Sequence, residues 1–132
     1  KELLEATHNF KNPGGNTFKL AMYTNSAALG KSTTSFTTGG QVTSPSGYTS
    51  GGKALVNVGT SLATNTAITD FADLSFTGVT LTARGALIYN DTATGDPGVA
   101  VLDFGGDKTA TSGTFTIQFP AFTTSAAILR IA

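Results

Sequence analysis

Between Val79 and Phe104 the chain alternates, then thickens with apolar residues, in a pattern that few folds accept. In V-T-L-T-A-R-G-A-L-I-Y-N, Val79, Leu81, Ala83, Leu87 and Tyr89 share one parity. Thr80, Thr82, Arg84, Ala86 and Ile88 share the other. A period of two is what a strand with one buried face produces. From Gly85 onward both parities turn apolar, and Val99 to Leu102 does the same, which predicts a pair at the centre of a sheet, covered on both sides. The link between them, D-T-A-T-G-D-P-G, is turn chemistry: Asp bonds its own backbone, Gly95 and Gly98 permit positive φ, and Pro97 fixes the exit.

The rest of the chain repeats this grammar in shorter phrases. Thr17 to Thr24 predicts a strand with Phe18, Leu20 and Met22 on one face. Lys53 to Val58 predicts another, with Ala54, Val56 and Val58 together, before a turn over Thr60 to Asn65. Thr66 to Phe71, Asp73 to Thr77 (Leu74 and Phe76 inward), Thr114 to Phe119 (closed by Pro120) and Ala126 to Ala132 follow. Asp103 to Lys108, D-F-G-G-D-K, reads as a strand end with a Gly-rich turn. Asn25 to Gly52 is broken by Gly30, Gly39, Gly40, Pro45, Gly47, Gly51 and Gly52 and predicts a long exposed or partner-contacting loop, with short strands at Ser35–Thr37 and Gly40–Thr43. About eight short strands with close turn signals predict an all-β fold, an antiparallel β-sandwich or jelly-roll-like barrel. Phe18, Leu20, Leu81, Leu87, Val101, Phe115, Ile117 and Phe119 are its expected interior. No helical stretch of normal length is available to cover a parallel sheet.

Only Lys1 to Phe10 has helix-friendly composition, enough for a turn or two. Asn12-Pro13-Gly14-Gly15 then breaks the chain. Residues 1–15 are therefore read as an N-terminal arm and hinge, able to dock on its own domain or on a neighbour, and residues 16–132 as a single β domain.

Composition excludes more than it assigns. At 132 residues the chain is one domain, able to bury roughly two-thirds of its unfolded surface. With no Cys there are no disulfides, thiolate metal sites or Cys nucleophiles. A formal net charge of zero and no basic stripe argue against nucleic acid as a partner. No apolar run approaches the ~20 residues of a membrane span, so no membrane partner is expected. No signal peptide is read, and Lys1 in place of Met implies a start upstream. Only 12% of residues are charged, whereas Thr, Ser, Ala and Gly abound. A weakly charged Thr/Ser coat suits proteins held in assemblies or secreted as adhesive modules; it also suits any β domain, since Thr is a good strand residue.

No reactive constellation stands out. His8 is the single histidine and sits on the arm, away from any rigid cleft. The Asp91/Asp96 loop lacks the acidic density of a calcium site. Asn90-Asp91-Thr92 is a formal glycosylation sequon, and Asp103-Phe104-Gly105 matches a kinase motif without its companions. Asp70 and Asp73 are an acid–base pair in principle, with no pocket signal beside them. Arg84, inside a strand, calls for solvent or a carboxylate such as Asp103. No catalytic residue, cofactor site or metal site is assigned. The candidates for partner binding are the apolar residues of the arm, Leu3, Leu4 and Phe10, and the aromatics of the long loop, Phe36 and Tyr48.

The runs G-A-L-I-Y-N (Gly85–Asn90), A-V-L-D-F-G (Ala100–Gly105) and G-T-F-T-I-Q-F-P (Gly113–Pro120), with terminal L-R-I-A, resemble small virion structural proteins of tailed bacteriophages, cyanophage and marine-phage relatives included. T-F-K-L-A-M-Y-T and G-Y-T-S-G-G-K-A-L (Gly47–Leu55) fit the same pattern, so the resemblance spans nearly everything from Thr17. It carries no active residues. What it implies is a non-enzymatic capsid decoration (cement) protein on the virion surface, binding the major capsid protein between subunits and acting as a homotrimer. A tail- or fibre-associated module and a glycan-binding adhesion module are the alternatives; the latter requires exposed aromatics in a groove.

Overall fold

The computed structural model describes residues 1–43 and 47–132. Pro45, one of the expected breakers of the long loop, lies outside the described residues. Among those described there is no helix, and the strands are β1 (Phe18–Tyr23), β2 (Lys53–Ala54), β3 (Asn57–Ala63), β4 (Thr66–Phe71), β5 (Leu74–Asn90), β6 (Gly98–Ile117) and β7 (Leu129–Ile131). They form two antiparallel sheets, ordered β2-β1-β5-β6 and β3-β4-β7. The all-β, sandwich-like expectation holds, with fewer and more unequal strands than the eight short ones expected.

The main correction concerns β5 and β6, which run for 17 and 20 residues. Leu74–Phe76 is the opening of β5 and Thr114–Ile117 the end of β6, so neither is a separate strand. Asp103 to Lys108 is no turn: the chain passes through it as an irregularity of β6. Ala83 pairs with Lys108 and Gly85 with Asp103, which leaves Phe104 to Asp107 standing against Arg84 alone. Gly85 is needed at this point, because a Cβ there would lie 2.5 Å from the Leu102 carbonyl oxygen. The slip reverses which parity faces inward. Val79, Leu81 and Ala83 point into the main core, and beyond the bulge so do Ala86 and Ile88. Leu87 and Tyr89 therefore end on the opposite face.

β5 lies between β1 and β6 as a central strand should, but β6 is an edge. This explains why Val101, expected in the interior, is 37% exposed. The main core gathers Phe18, Leu20 and Met22 from β1 with Leu81, Phe115 and Ile117, and reaches Phe71 of the second sheet. Phe18 and Phe71 meet edge to face at 5.6 Å. Phe119 packs against this core half-buried rather than inside it.

A smaller cluster, Ala21, Tyr23, Leu87 and Tyr89, lies on the rear face of the first sheet. The first part of the long loop covers it: Ala27, Leu29 and Phe36 pack there, and Phe36 stacks on Tyr89 at 4.6 Å. In place of the two short strands expected, that loop makes single bridges, Tyr23 to Gln41 and Ser35 to Pro97.

The predicted strand Lys53–Val58 splits into β2 and the start of β3, and its inward residue is Leu55. Val56 and Val58 are 64% and 45% exposed, the reverse of the expected face. The turn expected over Thr60–Asn65 contracts to Thr64–Asn65, with Thr64 at φ 55°. The last strand keeps only Leu129–Ile131.

Candidate functional surface

The arm is fastened to the domain. Lys1 to Thr7 forms overlapping turns, with Leu4 and Glu5 N–H groups donating to the Lys1 carbonyl, and Ala6 takes a positive φ where a helix would continue. Phe10 is 6% exposed and stacks on Phe18 with centroids 4.5 Å apart and rings nearly parallel. It is a core residue, unavailable to a partner. Asparagines tie down the connection: the Asn9 N–H donates to Asn16 Oδ1, Asn12 Nδ2 to the Asn57 carbonyl, and Asn57 Nδ2 to the Asn16 carbonyl. Sequence reasoning missed this network, since Asn in a Gly/Pro-rich stretch reads as turn chemistry.

Asn90 is the centre of that fastening. It is fully buried at the end of β5; its Nδ2 donates to the Thr7 carbonyl and to Asn16 Oδ1 and lies 3.2 Å from His8 Nδ1. Its Oδ1 accepts the N–H groups of Thr92 and Ala93, shaping the following loop. A buried amide with these partners is closed to glycosylation in the folded chain, whatever the sequon suggests. His8 packs 6.1 Å from Phe10 and from Phe18. Burial pushes its pKa below the ordinary 6.5, as desolvation disfavours the charged ring.

The acidic candidates are structural. Asp91 pairs with Lys19 at 2.9 Å. Asp70 is 1% exposed; its Oδ1 accepts the Phe71 N–H and its Oδ2 the Ile128 N–H, which pins the last segment to β4. Asp73 Oδ1 accepts the Phe119 N–H. Arg84 and Asp103 form the expected ion pair at 3.4 Å, beside the bulge. Among the described residues no cluster of three or more His, Asp or Glu is placed to hold a metal ion.

Tyr48 is also internal, at 1% exposure. Its hydroxyl accepts the Met22 N–H at 2.9 Å and lies 3.3 Å from Gln41 Nε2, and burial pushes its pKa up to about 12. Tyr23 donates to the Thr37 carbonyl and Tyr89 to the Gly51 carbonyl, and burial raises both pKa values. None of the three tyrosines offers a ring to solvent as a sugar platform. Of the five partner-binding candidates, Phe10 and Tyr48 are buried, Phe36 is half-buried against Tyr89, and Leu3 and Leu4 are exposed, at 46% and 94%. The structure does not bring the five together.

What remains for partners is surface. Leu62, Ala67 and Ile131 form a row across β3, β4 and β7 in register, with Leu62 72% and Ile131 62% exposed. Leu3 lies beside this row in a groove of about 190 Å³ floored by Thr69 and Leu129. A second groove, of about 430 Å³, follows the end of β6 over Phe104, Phe115 and Ile117. No helix among the described residues is long and apolar enough to cross a membrane. Comparison with protein-family models, curated proteins and solved structures gives no match for this chain.

Proposed function

We propose that the chain is a non-enzymatic structural protein of a tailed-bacteriophage virion: a capsid decoration (cement) protein that binds between major capsid subunits as a homotrimer. The observation that carries this reading is the pairing of a weakly charged surface with exposed large apolar residues. Leu4, Val56, Leu62 and Ile131 stand well out of a coat in which only 12% of the chain is charged. Leu62 and Ile131 flank Ala67 in one row across three strands, and a contiguous apolar row of this kind suits a surface that a partner covers. The polar groups of chemical interest, by contrast, are engaged inside the fold: Asp70, Asn90 and Tyr48 are buried and hydrogen-bonded to backbone. A compact β domain with sticky rims is suited to bridging neighbouring subunits, and many weak contacts on one symmetric shell add up through multivalency.

The test is add-back. Capsids stripped of the protein should rupture at lower temperature than intact ones, and purified protein should restore the difference at a fixed ratio to capsid subunits. Equal rupture temperatures with and without it, and no saturable binding, would sink the cement role. Recovery of the protein only with isolated tails would favour the tail-associated reading.

A further inference from the structure

The contacts around Asn90 include one titratable side chain, His8, and they are built for its neutral form. Asn90 cannot be turned round: its Oδ1 takes the Thr92 and Ala93 N–H groups, so its Nδ2 must face the arm. Reversing the amide would set its NH2 against those two donors and withdraw the bonds to the Thr7 carbonyl and Asn16 Oδ1. His8 Nδ1 lies 3.2 Å from that NH2, opposite a donor, and is therefore the unprotonated, accepting nitrogen. The ring also bonds the Gly98 backbone, in the sense that favours a ring N–H donor. Nε2 thus carries the proton and the Gly98 carbonyl accepts it.

A proton added to Nδ1 would point at the Asn90 amide hydrogens. Turning the ring gives no escape, since both nitrogens of an imidazolium are donors. The groups that could offset the new charge are few. On the arm, Glu2 favours the charged ring and the chain's first amino group opposes it. β1 contributes the Phe18 ring and β5 the neutral Asn90 amide. Between β5 and β6, Asp91 is held by Lys19 at 2.9 Å, and neither it nor Asp96 acts on His8.

We propose that His8 is an acid-sensitive latch: protonation at Nδ1 releases residues 1–11 from the domain while the strands stay paired. Asn12-Pro13-Gly14-Gly15 is the pivot, with Gly14 at φ 87°. Release withdraws Phe10 from Phe18 and Phe71, and Leu3 from the groove over Thr69 and Leu129. Acid thereby uncovers an apolar strip that runs on into Leu62, Ala67 and Ile131. Burial holds the docked ring below the 6.5 of a free one. Docking is therefore insensitive to pH above 6.5, and the opening equilibrium grows by up to about tenfold per pH unit from there down to the docked pKa, then levels. His8 is the single histidine, and free carboxylates titrate about two pH units lower, so the strands have no switch in the same window. The latch is independent of the proposed virion role, and either claim can fail alone.

Nitrogen-15 NMR of the full chain, from neutral pH into the acid range, tests the latch at two points. The ring signals should show the Nε2–H tautomer at neutral pH. Amide exchange should then report release: the Asn9 N–H is held by Asn16 Oδ1 and the Asn16 N–H by the Asn9 carbonyl, so both depend on the docked arm. Corrected for intrinsic exchange, their protection should fall about tenfold per pH unit below 6.5, while amides of β1 and β5 keep theirs. In His8→Gln, whose amide can still accept from Asn90, protection at Asn9 and Asn16 should not change with pH. An Nδ1–H tautomer at neutral pH would overturn the proposal, and that reading needs no variant to fold. So would arm and strand amides losing protection together, or the same acid response in His8→Gln.

Discussion

Replacing Phe10 with Ala asks whether the arm is part of the folded domain. The ring is buried at 6% exposure, stacks on Phe18 at 4.5 Å and meets Phe71 at 6.2 Å. Truncating a buried Phe removes its transfer free energy and leaves a cavity, about 3–5 kcal/mol together. The arm side of that cavity is closed only by turns and asparagine contacts, so partial collapse places the expected loss near the lower end, about 3 kcal/mol. For a domain of this length that lowers Tm by roughly 10 °C. Urea denaturation of the Phe10→Ala and Leu4→Ala variants should separate the two positions. Leu4 is 94% exposed and its truncation should change stability by less than about 0.5 kcal/mol. If Phe10→Ala also fell within half a kcal/mol of the parent, the arm would be a dispensable appendage and the packing argument would be refuted.

The remaining predictions concern the fastening, the bulge and one glycine. Asn90→Ala leaves the Thr7 carbonyl, Asn16 Oδ1 and two loop N–H groups short of a partner, and should cost about 2–4 kcal/mol by chemical denaturation. The His8 pKa is lowered from 6.5 by burial, so the unfolded chain binds the proton more readily. Stability should therefore be flat above neutral pH and fall as pH drops through 6.5; His8→Gln should remove that slope in pH-dependent melts. Ile88→Ala should cost about 2–5 kcal/mol, whereas Val101→Ala, at 37% exposure, should cost under about 1 kcal/mol, and equal losses would contradict the face reversal. Gly52→Ala places a Cβ 1.9 Å from the Leu20 carbonyl oxygen at a φ of +78° and should abolish cooperative folding in a thermal melt.

Strands were legible in the sequence wherever one face is buried along an uninterrupted run. β1 is the clear case, with Phe18, Leu20 and Met22 inward as their alternation implies. Leu74 and Phe76 followed the same logic. The misplaced faces of β5 have one physical source: alternation does not register a bulge. Past Gly85 the parity that faces the main core turns to the rear cluster, so Leu87 leaves the interior its alternation implies. Gly105 and Gly106 read as a turn because glycine marks turns and bulges alike. Val99 to Leu102 looked central because it is apolar on both parities, although it lies on an edge partly covered by loop residues. The arm was the harder case: Asn12-Pro13-Gly14-Gly15 announces a break in regular structure, but not whether what precedes it docks. That depended on Asn9, Asn16, Asn57 and Asn90 meeting across long sequence separations. Of the candidate partner residues, Leu3 and Leu4 are on the surface, while Phe10 and Tyr48 were drawn inside by aromatic burial that no local pattern reveals.

The most direct measurement of the central claim is electron cryomicroscopy of purified virions, combined with mass spectrometry of the same particles. The account predicts density for this two-sheet domain at the junctions between major capsid subunits, in groups of three and in fixed ratio to those subunits. Particles complete in head and tail but lacking this chain, with the protein left unassembled in the supernatant, would contradict it.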